Sequence, residues 1–384
     1  MCSNKIFLKI TSMVLALVML IPVSAGAVSP VNAEIPCESA VLREGLTGKI
    51  LFQKNMDKKM SPASITKIMS LLLVMEAIED GRISLEDEVT ASPHAVSMGG
   101  SQIWLKENEV MTVDELLKAT AIASANDATV ALGEFIAGSE EGFVAMMNEK
   151  ADFLGMKNTH FENCTGLDAE GHLTTAEDIS IMAMELIKYP LIKKYSTVWM
   201  DELRGGKTQL VNTNRLVRFY KGTTGLKTGT TDDAGCCLCA TAERDNLPLI
   251  AVSLGSRTSD ERFKSCRGLL DFGFSSCKAV KVPSLKGCLD PVRVKRGEMR
   301  EIGIEAKAPE FIVTEKGSKT PLELKAEKVT FFEAPVEENK EAGSVKIMQD
   351  GVILSEIPLF TAYPVCKLSY IHSLKRIFSK VFSL

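Results

Sequence analysis

The chain reads as an α+β protein: an antiparallel sheet carrying a cluster of helices, then a small all-β domain, then a C-terminal amphipathic helix. Three observations predict this. Strand-like runs stand near both ends of the stretch from residue 34 to 276, with helical periodicity between them. Beyond Cys277 the helical period gives way to short β-rich runs. The segment from Lys367 to Leu384 is basic and contains no acidic residue, and its apolar residues recur at spacings of three and four.

Taken in order, residues 1–33 have the form of a secretory leader. Lys5 and Lys9 precede an apolar run from Ile10 to Val23, and small residues at Ala25 and Ala27, or Val31 and Ala33, offer cleavage sites. The run is shorter than the ~20 residues that cross a bilayer, so the expectation is processing rather than a permanent anchor. Ser39 to Arg43 and Lys49 to Gln53 read as strands joined by a turn at Gly45-Leu-Thr-Gly48. Pro62 marks a helix entrance, and the apolar run from Ile68 to Ile78 carries that helix to Gly81. From Arg82 to Glu109 the chain is irregular about a flexible Gly99-Gly100-Ser101.

Thr112-Val-Asp-Glu115 has the form of a capping box and opens a helix through Ala123. Helical periodicity follows over 127–136, 141–154 and 176–187, the last capped by Thr174 or Thr175 and stopped by Pro190, so the expectation is an all-helical insert of roughly a hundred residues. Two strand-like runs, Cys236 to Ala242 and Leu247 to Leu254, precede a helix over about 260–272. These elements make up a catalytic unit of residues 34–276. Residues 277–364 read as the β-rich domain, with runs at 292–295, 311–314, 329–332 and 344–348 and a two-residue hairpin turn at Asp350-Gly351. Residues 365–384 form the amphipathic helix, whose basic and apolar faces suit a membrane interface.

Composition narrows the function. The formal charge of −4 and the lack of a basic stripe before the tail give nucleic-acid binding no support. Ten cysteines in an exported chain would ordinarily suggest disulfides, but losing Cys2 with the leader leaves an odd number. Cys236, Cys237 and Cys239 crowd one strand whose neighbours face opposite ways. The expectation is small buried apolar residues, a usage that suits a cell living without oxygen. No paired C-x-x-C occurs and the four histidines are scattered, so neither zinc nor another cofactor is expected.

The chemistry lies in three short stretches. Ser64 and Lys67 stand three apart at a helix start, so hydroxyl and amine share a face, and a partly desolvated lysine can be the base a serine nucleophile needs. Ser124-Ala125-Asn126 and Lys227-Thr228-Gly229 follow in that order. Each alone has a bland reading as a helix end, a cap or a solvated turn. Together they make up the S-x-x-K, S-x-N and K-T-G set of penicillin-interacting enzymes. With Thr47-Gly48-Lys49, Gly99-Gly-Ser101, Asn163, Thr165-Gly166-Leu167 and Thr174-Thr-Ala176, the stretch from Ser39 to Phe274 resembles the serine-type D-alanyl-D-alanine carboxypeptidases, the low-molecular-weight penicillin-binding proteins.

The resemblance implies the penicillin-binding, β-lactamase-like transpeptidase fold and a substrate that is the peptidoglycan stem peptide ending in D-Ala-D-Ala. It implies β-lactams as inhibitors, release of D-alanine through a Ser64 acyl-enzyme, and a limit on crosslinking of the cell wall. Lys67 would be the base, Ser124 the proton relay to the leaving amine, and Asn126 the holder of the peptide amide or of Lys67. Lys227, Thr228 and Thr230 would bind the terminal carboxylate together with Arg262, which matches an arginine of the family. The backbone N–H groups of Ser64 and Thr230 would form the oxyanion hole, with Gly229 keeping the strand open to ligand. The enzyme would be peripheral to the outer face of the cytoplasmic membrane, held there by the C-terminal helix. One departure is Thr224, where family members often carry an aspartate. Two alternatives stand: a β-lactamase, although no E-x-x-x-N lies between Ser124 and Lys227, and a penicillin-binding scaffold without catalysis.

Overall fold

The computed structural model describes residues 34–370; the expected leader at 1–33 and all but the first few residues of the expected amphipathic helix at 365–384 lie outside the described residues. The chain opens with β1 (Ser39–Glu44) and β2 (Ile50–Lys54), enters α1 (Lys67–Glu79), and runs through β3 (Glu88–Thr90), a one-turn α2 (Pro93–Val96) and β4 (Val110–Thr112). The helices α3 (Val113–Lys118), α4 (Asn126–Ala137), α5 (Glu140–Phe153), α6 (Ala176–Leu186) and α7 (Lys193–Ser196) follow. After them come the hairpin β5 (Met200–Leu203) and β6 (Thr208–Val211), the short α8 (Leu216–Phe219), the strands β7 (Thr223–Thr231), β8 (Gly235–Arg244) and β9 (Leu247–Ser256), and α9 (Ser259–Ser276).

The main sheet is antiparallel throughout, in the order β2-β1-β9-β8-β7. Its strands alternate between two cores. Val41, Cys237, Cys239, Ile250 and Val252 face the helical cluster, whereas Ala40, Leu42, Leu238, Ala240 and Ala251 face α9. The period-2 pattern therefore places α1 on one side of the sheet and α9 on the other. Helix α1 is buried at every position from Lys67 to Met75, so it is covered on all sides and sits inside the helical cluster rather than on its surface. Thr112 and Glu115 form the reciprocal capping box at α3, and Thr175 caps α6 by accepting from the Asp178 N–H.

Two short ribbons that were not expected flank the helical insert. Residues 82–109, expected to be irregular, contain β3 and α2, and β3 pairs with β4; further on, β5 and β6 form a second two-stranded ribbon. Strands of three and four residues are too short to display an alternation. The helix expected to begin at Ser64 begins instead with a 3-10 turn over Ala63–Thr66, becoming α-helical at Lys67.

Beyond α9 the described residues form mainly strands, with a 3-10 turn at Lys286–Cys288. Cys277–Lys281 pairs with Phe311–Glu315, and Val292–Lys295 lies between Glu301–Ile302 and Phe331–Glu333. A four-stranded sheet joins Ile304–Glu305, Val352–Thr361, Glu341–Gln349 and Glu323–Lys328. Asp350 and Gly351, both at positive φ, turn the long hairpin between Gln349 and Val352. This region has its own core, centred on Ile302, Ala342, Val345, Ile347 and Leu359. Among the described residues the nine cysteines are free thiols, six of them buried, and no helix is long and apolar enough to cross a membrane.

Candidate active site

The 3-10 turn at Ala63–Thr66 decides how the first motif works. With three residues per turn, positions i and i+3 eclipse, so Ser64 and Lys67 stand one above the other more directly than in an α-helix. Lys67 Nζ donates to Ser64 Oγ at 3.0 Å, to Asn126 Oδ1 at 2.5 Å and to the Thr165 carbonyl at 2.6 Å. An ammonium has three protons to donate, and each has an acceptor here. Lys67 is wholly buried, and burial pushes its pKa down to about 7.

The second motif arrives by a different device. After α3 the chain widens into a π-helical turn over Ala119–Ala123, and Ser124 ends it in the left-handed conformation, φ 63 and ψ 30. Such turns recur at functional sites. The reversal buries Ser124 and starts α4 two residues later, so Asn126 is the first residue of that helix rather than its cap. Asn126 is fixed from both ends: its Nδ2 donates to the Gly99 carbonyl at 2.6 Å and its backbone N–H to the Ser101 carbonyl at 2.7 Å. The Gly99-Gly100-Ser101 stretch is thereby tied to the motif.

The third motif lies on β7, which crosses the nucleophile's turn. A Cβ on Gly229 would come 2.9 Å from the Pro62 carbonyl oxygen and 3.1 Å from the Ser64 nitrogen, so only glycine lets the strand approach this closely. Lys227 is wholly buried, and its Nζ has no hydrogen-bond partner. Burial first, then the neighbouring Lys67 and Arg262, hold its pKa well below the lysine range. Arg262, from α9, reaches over the strand: its Nη1 donates to Thr230 Oγ1 at 2.8 Å and to the Gly229 carbonyl at 3.0 Å, while its buried Nε is unpartnered. Thr228 Oγ1 donates to Thr213 Oγ1 at 2.7 Å. Thr224, at the position of the expected aspartate, bonds to Thr241 Oγ1 across the strands at 2.8 Å.

All nine residues singled out in the sequence thus fall on the elements around one turn. Direct hydrogen bonds join Ser64, Lys67 and Asn126 in one set, and Gly229, Thr230 and Arg262 in another. Sequence reasoning assigned the supports no role, although Asn163 and Thr165-Gly166-Leu167 were among the residues that carry the resemblance. The Thr165 carbonyl, one of the three acceptors of Lys67, is presented by a turn that Asn163 Oδ1 organises by accepting from the N–H groups of Thr165, Gly166 and Leu167. Asn-x-Thr-Gly is turn chemistry that a reading for local motifs could have found. His172 accepts at Nδ1 from the Glu162 N–H, which leaves the proton on Nε2 to donate to Thr66 Oγ1 at 2.8 Å, beside Lys67. Buried Asp127 accepts from the N–H groups of Ile103 and Leu105. Among the described residues no group of three or more His, Cys, Asp or Glu is placed to hold a metal ion.

The arrangement can carry out acyl transfer. It offers a serine hydroxyl, an amine able to take its proton near neutral pH, and a buried cationic strand edge suited to a carboxylate. Comparison with known proteins agrees. Residues 26–258 match the family model described as D-alanyl-D-alanine carboxypeptidase, and residues 288–366 match that of the penicillin-binding protein 5 C-terminal domain. The chain is 44% identical over 347 residues to the D-alanyl-D-alanine carboxypeptidase DacF of Bacillus subtilis, covering 88% of each chain. It is 31% identical over 352 residues to DacC of Escherichia coli, covering 88% of this chain and 86% of that one. Penicillin-binding protein 5 from Haemophilus influenzae superposes with a TM-score of 0.78 at 29% identity, over 88% of this chain and 100% of that one. The ampicillin-bound form of penicillin-binding protein D2 from Listeria monocytogenes superposes with a TM-score of 0.58 at 30% identity, over 63% and 99%.

Proposed function

The chain belongs to the D-alanyl-D-alanine carboxypeptidase family and acts on peptidoglycan, and from that premise we propose how its residues divide the work. Ser64 Oγ attacks the carbonyl of the penultimate D-alanine as Lys67, in its neutral form, takes the hydroxyl proton. The Ser64 and Thr230 N–H groups hold the oxyanion. Collapse breaks the C–N bond; Ser124 passes a proton to the departing D-alanine nitrogen, and the remaining peptide stays as an ester on Ser64. Water then attacks the ester, restoring the serine and releasing the shortened stem. Lys227, Thr228, Thr230 and Arg262 bind the terminal carboxylate, Gly229 gives the substrate access to the strand, and Asn126 positions Lys67 or the peptide amide.

The observation that carries this reading is the 3.0 Å contact between the Lys67 amine and Ser64 Oγ in a buried setting that brings the amine to about 7. The test is incubation with labelled penicillin and with a D-Ala-D-Ala pentapeptide, followed by mass spectrometry. Label on Ser64, with loss of both labelling and D-alanine release in Ser64→Ala, is the expected result. Label on another residue would overturn it, and penicillin binding without D-alanine release would favour the scaffold reading.

A β-lactamase would need a group that hydrolyses its acyl-enzyme quickly. Glu162 lies near the site in sequence, but its carboxylate pairs with His160 at 3.1 Å and is substantially exposed. Slow turnover of penicillin is therefore expected, and rapid multiple turnover would count against the carboxypeptidase assignment of these residues.

The proposal extends to location. Residues 1–33 direct export, residues 34–276 form the catalytic unit, and residues 277–364 act as a spacer. The basic, acid-free segment 365–384 then holds the enzyme peripherally on the outer face of the cytoplasmic membrane. Deleting Lys367 to Leu384 should release the enzyme from the membrane fraction; full retention would defeat the idea.

A further inference from the structure

Trp104 is one of two tryptophans in the chain, and it is 74% exposed in a left-handed backbone conformation, φ 59. A bulky residue at positive φ is strained and persists only where its surroundings impose it. The imposing group is Asp127, whose buried carboxylate accepts from the N–H of Ile103 on one side of Trp104 and of Leu105 on the other. The same helix start that places Asn126 in the active site therefore pushes an indole outward.

Trp104 borders a groove of about 580 Å³, lined also by Lys106, Arg204, Lys207 and Gln209. Arg204 makes its floor rigid: its guanidinium spans both oxygens of Glu109 at 2.6 and 3.1 Å, and its Nη1 donates to the Ile103 carbonyl at 2.9 Å. Lys106 and Lys207 are exposed and in no ion pair among the described residues. A flat aromatic face with donors around it is the surface that takes a pyranose ring, apolar C–H face on the indole and hydroxyls and N-acetyl carbonyl toward the donors.

The groove is linked to the active site through the backbone. Trp104 follows Ser101 by three residues, hence by at most about 11 Å, and the Ser101 carbonyl is bonded to the Asn126 N–H. A stem peptide extended over the four residues from the scissile bond back to its sugar spans roughly 14 Å. We propose that Trp104 and its groove form a saccharide subsite that holds an N-acetylated sugar of the glycan strand while the attached stem peptide lies at Ser64. This rests on the peptidoglycan reading above and adds to it that the enzyme recognises the strand as well as the peptide end.

The test compares a disaccharide-linked pentapeptide with the free pentapeptide on the full chain. Trp104→Gly is the informative variant, because it removes the indole and relieves the positive φ together. The ratio of kcat/KM for the sugar-linked over the free peptide should fall about tenfold, the scale of one lost aromatic contact, with Tm unchanged or raised. Trp104→Phe should retain part of the ratio. Tri-N-acetylglucosamine should quench the fluorescence of Trp199→Phe, in which Trp104 is the remaining tryptophan, and leave that of Trp104→Phe unaltered. An unchanged ratio with no quenching, or an equal loss on both substrates, would overturn the subsite. Failure of the unaltered enzyme to cleave the free pentapeptide would instead overturn the underlying reading.

Discussion

The two buried lysines of the active site occupy opposite electrostatic situations. Around Lys67 the polar network is closed: three acceptors for three protons, supplied by Ser64, Asn126 and Thr165. Around Lys227 it is open, with an unpartnered Nζ and an unpartnered Arg262 Nε buried beside it. Both amines are depressed by burial, but one has its hydrogen bonds supplied by the protein and the other does not. With the roles proposed above, the difference teaches that the base is held by the protein alone, whereas the carboxylate site would be completed by the substrate. Recognition is thereby tied to a negatively charged peptide end, since a neutral ligand would leave those donors buried and unsatisfied.

Removing the closed half should cost most. Lys67→Met deletes the base and should lower the rate of Ser64 acylation by roughly 10³-fold, measured by stopped-flow penicillin labelling. Lys67→Arg should not rescue it, because a guanidinium does not give up its proton. For the unaltered enzyme kcat/KM should rise about tenfold per pH unit below 7 and level off above it, as the amine becomes a free base. A flat profile across pH 6 to 8 would break the assignment.

Gly166→Ala perturbs the same half through its scaffold. The added Cβ would lie 1.9 Å from the Ala63 carbonyl oxygen at a φ of +86, so the turn that presents the Thr165 carbonyl must move away from the nucleophile's turn. Acylation should fall on the order of 10²-fold, within the penalty for misplacing catalytic groups by an ångström, with a lowered Tm on a thermal melt.

The open half should respond in binding. Arg262→Lys removes the guanidinium whose Nη1 bonds both Gly229 and Thr230, and should raise KM for the pentapeptide about tenfold with kcat changed far less. The finest reading comes from calorimetry of substrate binding to Ser64→Ala at pH 8, in buffers of different ionisation enthalpy. Burial holds the Lys227 pKa low and an arriving carboxylate raises it, so binding should be accompanied by net proton uptake. Proton release would reverse the contrast between the two lysines.

Much of this was legible in the sequence, for physical reasons that differ by residue. Ser64 and Lys67 interact through local backbone geometry, so their spacing encodes the contact. The Asp350-Gly351 turn and the caps at Thr112 and Thr175 are also local, and each formed as expected. Arg262 was located by resemblance, since no local pattern links it to Thr230 32 residues away. The turn at Thr165 is local chemistry, but the contact of its carbonyl with Lys67 could not be read: it is made by a backbone atom 98 residues away, and any residue type carries one. The ribbons β3–β4 and β5–β6 were missed because their strands hold too few residues to show a period.

The position of β7 carries one more consequence. It ends the sheet order, and among the described residues no strand pairs with its outer side. Open strand edges invite other chains to extend the ladder, and proteins usually blunt them. Here the blunting is partial. Ser196 Oγ donates to the Thr224 carbonyl at 2.5 Å and Asn214 Nδ2 to the Gly225 carbonyl at 3.0 Å, covering the strand before the lysine. Past Lys227 the edge runs beside the nucleophile, where an extended stem peptide can add itself as a sixth strand, read by its main chain. A hazard that elsewhere leads to aggregation is confined to a few residues, and its guest is cut and released.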